Sequence, residues 1–301
     1  MNTGIAQRNR PTRRAILQQL TSTAALATLL RAQSFNQTRT ADFGGIPIQY
    51  ETYGLGPEAL VFIHGWTCDR TFWRGQAPVY TRYRSLLIDL PGHGESGKPH
   101  TAYPMEMFAK SIDAVMKDAG VERATFVGHS LGGPIVYAYL RLFPEKAKAM
   151  ALVDVDVRKG SAGPMNVEEQ RIRMARRAMI MAGPTGEKDF HRTVESCFTK
   201  QTPESIKEEI RTKMLATPKY VRIASLTSPS SLPPPKKDET YTLPSIAIQA
   251  SSPATEINYR AMKTLFPSLE LEIWKGSGHF LMMEDPQRFN QSLEQFLQKL
   301  S

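Results

Sequence analysis

The sequence predicts an α/β fold: a mostly parallel central sheet with helices on both faces, and a helical cap inserted between two core strands. Three observations predict it. Short continuous apolar runs such as "ALVFIHG" and "RATFVGHS" end at glycine or a polar residue, as strands buried on both faces do. Helix-spaced segments alternate with these runs, which requires crossover connections and parallel pairing. The alternation then stops near residue 157 and resumes after residue 240 with "SIAIQA", so the helical stretch between them reads as an insertion into one sheet.

In chain order, "TADFGGIPIQYETYG" alternates apolar and polar residues about Gly44 and Gly45, the pattern of a hairpin. Strands are expected over 59–65 and 86–90. "MEMFAKSIDAVMKDAG" spaces Phe108, Ile112, Val115 and Met116 for one helix face, with Gly120 as its stop. "RATFVGHS" is a strand, "GGPIVYAYLRLFP" a helix ended before Pro144, and "AMALVDVDV" a strand. The insertion, 157–240, carries helical patterns and then the proline-rich "SPSSLPPPKKDET", a loop. After it come "SIAIQA", a helix near 259–266, the strand "LELEIW" and a last helix over 286–300. The core is therefore expected in two pieces, 34–156 and 241–301, with 157–240 as cap.

The first 33 residues differ from the rest. They hold Arg8, Arg10, Arg13, Arg14 and Arg31 and no acid, and a moderately apolar stretch runs from Ala24 to Leu30. A basic region followed by apolar and small residues has the layout of an export signal, and the pair Arg13–Arg14 resembles a twin-arginine one. The expected destination is the periplasm or the medium, with a mature start near residues 32–35. Without this segment the formal charge of +9 falls to +4. Within 157–240, 16 Lys or Arg stand against 10 Asp or Glu, a solvated helical face rather than an aromatic-interleaved basic stripe, so nucleic acid is not an expected partner. No apolar run reaches the ~20 residues of a membrane span. The spacing of Cys68 and Cys197 demands no disulfide, and two buried thiols are expected.

"FVGHSLGG" carries the chemistry. It sets Gly128-His129-Ser130-Leu131-Gly132 between a strand and a helix. A serine at such a turn takes strained backbone angles, and small residues two before and two after let the flanking backbones pass closely. The hydroxyl is lifted off the sheet, and a helix N-terminus faces the reacting centre.

With that turn, four segments resemble the α/β-hydrolase family in family order: "VFIHGW", "DLPGHGES", "GHSLGG" and "GSGHFLMMEDP". The resemblance implies Ser130 as nucleophile, His279 as base, and the backbone N–H groups of Trp66 and Leu131 as oxyanion hole. Serine at position 130 argues against the haloalkane dehalogenase and epoxide hydrolase branches, which use aspartate there. His64 and His129 are expected to shape the loop and pack under the elbow, Asp89, Gly92 and His93 to brace the neighbouring loop, and His100 and His191 carry no signal.

The acid departs from the family pattern. Its usual aspartate follows the strand that "SIAIQA" resembles, where this chain has Ser251 and Ser252. Some members take the acid from the end of the preceding strand, and Asp154 falls there. Glu256, Asp156 and a dyad without an acid remain the alternatives.

The expected activity is hydrolysis of an ester with a small or medium apolar acyl group, the partner being a small-molecule substrate. No cofactor is expected, and no His, Cys or Asp cluster has metal-ligand spacing. C–C hydrolysis, lactone or thioester cleavage and haloperoxidase-like chemistry use the same residues, and a non-catalytic binding protein is the rival of another class. The cap is expected to cover the site, its methionines (Met165, Met174, Met179, Met181, Met214) serving mainly as core, with Trp66, Cys68 and Trp73 placed to line the cavity.

Overall fold

A computed structural model describes residues 36–155, 167–253 and 255–300. Residues 1–33, Asp156 and Met165 lie outside them. Eight strands form one sheet: β1 (Gln37–Phe43), β2 (Ile46–Tyr53), β3 (Glu58–Ile63), β4 (Ser85–Ile88), β5 (Arg123–His129), β6 (Ala147–Val153), β7 (Ser245–Ala250) and β8 (Leu269–Trp274). Their spatial order is β1-β2-β4-β3-β5-β6-β7-β8. The β1–β2 hairpin and the β2–β4 pair are antiparallel, and every other pairing is parallel.

Both faces of the central strands are buried, which is why they read as unbroken apolar runs. Val61, Ile63, Phe126, Met150 and Leu152 face one core. There α1 (Met105–Ala119), α2 (Gly132–Leu142) and α7 (Thr255–Leu265) lay down Phe108, Ile112, Val136 and Met262. Leu60, Phe62, Val127, Ala151 and Val153 face the other. A 3₁₀ segment (Arg70–Gln76) and α8 (Pro286–Gln298) cover that side with Trp73, Phe289, Leu293 and Phe296.

Between β6 and β7 stand α3 (Val167–Ala182), α4 (Gly186–Glu195), α5 (Glu204–Ala216) and α6 (Lys219–Leu226), the helical insertion.

Four elements differ at their ends from the sequence reading. The strand expected over 59–65 stops at Ile63, because Gly65 O accepts from Cys68 N (3.2 Å) and from His64 Nδ1 (2.8 Å) and turns the chain. The strand expected over 86–90 spans Ser85–Ile88, since Leu90 N leaves the ladder to donate to His64 Nε2 at 3.0 Å. The helix expected near 259–266 begins at Thr255, where Ser252 N donates to Thr255 Oγ1 at 2.9 Å. The last helix ends at Gln298 rather than residue 300.

A partly buried ion pair fastens the chain's return from the cap. Arg141, in the last turn of α2, holds Glu239 with two hydrogen bonds of 2.7 and 2.6 Å. Tyr137 and Tyr241 hydroxyls donate to the same carboxylate. The Arg141 guanidinium lowers the Glu239 pKa to about 2, below the ~4.3 of an unfolded glutamate. A depressed folded pKa stabilises above the unfolded value, and the contribution is lost as pH falls toward 2. Glu239→Gln is expected to cost about 2 kcal/mol at pH 7, and the gap to the wild type should shrink at pH 3. Thermal melts at the two pH values check this; a gap independent of pH contradicts it.

Candidate active site

Ser130 sits in the turn from β5 into α2 with φ 51°. A Cβ on Gly128 would lie 2.9 Å from the backbone of Gly132, and one on Gly132 would lie 2.6 Å from Ile63 O. Only glycine at both places lets the strand, the turn and β3 approach so closely, which explains the spacing around the serine. Ser130 N donates to Val153 O at 3.0 Å, tying the turn to the end of β6.

Asp154 is the next residue along that strand end, with φ 45°. Its Oδ1 accepts from Ala250 N (3.0 Å), and its Oδ2 accepts from His279 Nδ1 at 2.5 Å. Thr67, with φ 60°, follows Trp66. Among the described residues these three are the non-glycine positions with positive φ, and all belong to or adjoin the site. Left-handed backbone costs a non-glycine residue of order 1–3 kcal/mol. Here, among the described residues, it is confined to the turn that carries Ser130, the turn that carries Asp154, and the loop that carries Trp66 and Thr67.

His279 is held from two sides. Its N–H donates to Cys197 O of the insertion at 2.8 Å. Its carbonyl accepts from His129 Nε2 at 2.9 Å. A carbonyl can only accept, so His129 Nε2 carries the proton. Burial drives the His129 pKa well down, and the neighbouring His279 adds to this, so the ring stays neutral. Trp73 meets His129 edge-on at 6.4 Å and Phe280 lies 5.2 Å from it. The residue between glycine and serine in the motif therefore packs under the elbow and also supports the histidine loop.

The insertion grips that loop elsewhere too. Thr199 Oγ1 donates to Gly276 O (2.9 Å), while Thr202 Oγ1 and Gly278 N share the Glu284 carboxylate at 3.1 and 2.8 Å.

The backbone N–H groups of Trp66 and Leu131 have no acceptor among the described residues, and both residues line the cavity that contains Ser130. Their loop is fixed from below. Neutral His64, fully buried and with its pKa lowered by that burial, donates from Nδ1 to Gly65 O and accepts Leu90 N at Nε2. Trp66 Nε1 donates to Arg222 O in α6 at 3.0 Å, and its ring meets Phe190 of α4 edge-on at 5.5 Å. The buried Asp89 carboxylate accepts from the backbone N–H groups of Arg70 (2.7 Å) and Glu95 (2.8 Å) and pairs with the Arg70 guanidinium. His93 donates from Nδ1 to Pro91 O (2.9 Å), and burial lowers its pKa to about 3. His100 stacks on Tyr220 at 3.8 Å; it and His191 lie on the surface.

Ser130, Asp154 and His279 open on one cavity of about 430 Å³, lined also by Trp66, Leu131, Met174, Met214, Leu226 and Phe280. Met174 and Met214 thus face the cavity, Met181 is core and Met179 is 74% exposed. Trp73, expected on the wall, is instead buried against Phe62 and Phe289, because the 3₁₀ segment turns its ring inward. Cys68 is buried, whereas Cys197 is partly exposed rather than buried; both reach the cavity, and no disulfide joins them. Ser251 and Ser252 are exposed, and the backbone at Ser252 opens α7. Glu256 lies exposed in the first turn of that helix, away from His279's acid contact. Sequence reasoning missed Thr67, whose backbone angle leaves no local signal, and Arg177 on the cavity wall. Among the described residues no group of three His, Cys, Asp or Glu is placed to hold a metal ion, and no helix is long and apolar enough to cross a membrane.

Residues 58–179 match the family described as alpha/beta hydrolase fold. An uncharacterized protein of Mycobacterium tuberculosis is 26% identical over 263 residues, which cover 81% of this chain and 76% of that one. Among solved structures, Est816, described as an N-acyl homoserine lactone degrading enzyme, aligns with a TM-score of 0.72 at 22% identity over 86% of this chain and 100% of its own. A thermophilic esterase from Thermogutta terrifontis aligns with a TM-score of 0.72 at 23% identity, over 88% of this chain and 99% of its own. With its strand order, its elbow turn and its insertion after β6, the chain has the α/β-hydrolase fold.

Proposed function

We propose that this chain is a serine hydrolase that cleaves a carboxylic ester, or a related acyl bond, of a small to medium substrate through an acyl-enzyme on Ser130. One observation carries the reading: Asp154 Oδ2 lies 2.5 Å from His279 Nδ1, on the wall of the cavity into which Ser130 opens. The acceptor carboxylate keeps the imidazole proton on Nδ1, leaving Nε2 free to accept. Ser130 Oγ has no hydrogen-bond partner among the described residues, and such contacts tighten once substrate is bound.

In acylation, Ser130 Oγ attacks the carbonyl carbon and its proton passes to His279 Nε2. The Trp66 and Leu131 N–H groups stabilise the oxyanion, each donor being worth about 3–4 kcal/mol in the transition state. His279 returns the proton to the leaving alcohol. Water, deprotonated by the same Nε2, then attacks the acyl-enzyme and frees Ser130. Asp154 stabilises the imidazolium in both halves without taking its proton.

The two structural neighbours, an esterase and a lactone-degrading enzyme, support acyl cleavage as the reaction class. The binding-protein alternative drew on the missing carboxylate after β7, and Asp154 beside His279 removes that ground. A panel of esters, lactones and thioesters with graded acyl length tests the proposal. Turnover of one class that vanishes in Ser130→Ala is expected; no turnover of any by folded protein contradicts it.

For the N-terminus, export directed by residues 1–33 is proposed from the arginine pair and the apolar stretch behind it. Cell fractionation with an intact N-terminus in the cytoplasm as the outcome would refute it.

A further inference from the structure

Arg177 projects from α3 onto the wall of the cavity that contains Ser130 and His279. It is partly buried, and desolvation lowers its pKa. Its one hydrogen-bond partner among the described residues is Thr193 Oγ1, at 3.4 Å. The acids on neighbouring elements are engaged elsewhere. Glu187 pairs with Arg222 (3.0 Å), Asp189 with Arg192 (2.9 Å), Glu195 with Arg211 (2.6 Å), and Asp154 with His279. Arg173 on the same helix adds a like charge, which also lowers the Arg177 pKa. A guanidinium taken partly out of water with no counter-ion among the described residues is costly, and a ligand that brings one recovers the cost.

We infer that Arg177 recognises a carboxylate on the substrate. Resting on the serine-hydrolase reading for the scissile bond, the inference makes the substrate an acyl compound with the bond to be cleaved at one end and a carboxylate at the other. Met174, Met214, Leu226 and Phe280 line the same cavity and suit an apolar chain between the two. The hydroxyls of Thr193, Ser196 and Thr199 on the same wall already donate to backbone carbonyls, so the Arg177 fork supplies both bonds to the carboxylate. A carboxylate fits better than a phosphate, because a single planar fork matches two oxygens and one negative charge.

Two probes that differ only in charge test this: the 4-nitrophenyl half-ester of glutarate, and its methyl-capped neutral analogue. The wild type is expected to prefer the half-ester at least tenfold in kcat/KM. Arg177→Gln should reduce that preference at least tenfold through KM, and Arg177→Lys should restore part of it by returning the charge without the fork. An arm independent of turnover is calorimetric titration of the half-ester into Ser130→Ala, with and without Arg177→Gln, where binding should weaken at least tenfold. Equal handling of the two probes by the wild type, or equal binding with and without Arg177, overturns the inference. Arg177-dependent binding without turnover by the wild type would leave the inference standing and remove the hydrolase reading. Turnover of both probes without preference would do the reverse.

Discussion

Asp154→Asn is expected to lower kcat by about three to four orders of magnitude while the protein stays folded. The substitution isolates the charge. Asn tolerates left-handed backbone better than other non-glycine residues, so the φ of 45° at this position is preserved. The amide oxygen can still accept from Ala250 N, as Asp154 Oδ1 does at 3.0 Å. That bond orients the NH₂ toward His279 Nδ1. Two donors cannot face each other, so the ring shifts its proton to Nε2 and can no longer accept from Ser130. Steady-state kinetics and a thermal melt of the variant check the claim. Near-wild-type turnover would remove Asp154 from the reaction and return the question to Asp156 or to a dyad.

Gly65→Ala should lower kcat by about two to three orders of magnitude. A Cβ at this position would lie 2.8 Å from His129 Nδ1 and 3.2 Å from Ser130 Cβ. The buried His129 ring cannot yield: its Nε2 is bound to the His279 carbonyl, and Trp73 and Phe280 stand against it. The strain therefore falls on the 64–67 loop, and the next residue is Trp66, which lines the cavity and whose N–H is the proposed oxyanion donor. Overpacking of this kind costs about 1–3 kcal/mol of stability. Loss of one oxyanion donor is worth more in rate than that, so activity should fail before the fold does. Kinetics at a temperature well below the variant's melting point separate the two; an active variant would show that the loop has slack the geometry denies it.

The fold was legible because its signals are local. Unbroken apolar runs gave the parallel strands, and the Gly128–Gly132 spacing marked a turn whose backbones pass too closely for side chains. Strand ends were not legible, because they depend on partners far along the chain. Leu90 leaves β4 to bond His64, 26 residues away. The acid was open among Asp154, Glu256 and Asp156 for the same reason. Asp154 reaches His279 through a positive-φ turn and through the pairing of Val153 with Ile248, which sets it beside Ala250. Ser251 and Ser252 stand where a carboxylate was sought; Ser251 N donates to Trp274 O at the end of β8, and Ser252 opens a helix. Arg177 could not be read at all: its interest lies in a counter-ion that no described neighbouring element supplies, and only the assembled cavity shows that.

The central claim is that the Ser130 hydroxyl is activated by an imidazole that Asp154 orients. Treating the folded protein with a fluorophosphonate and mapping the adduct by peptide mass spectrometry tests it most directly. The account predicts one label, on Ser130, absent in Ser130→Ala and formed orders of magnitude more slowly in His279→Ala and Asp154→Asn. A folded wild type that takes no label, or one labelled as fast without His279 as with it, would contradict it.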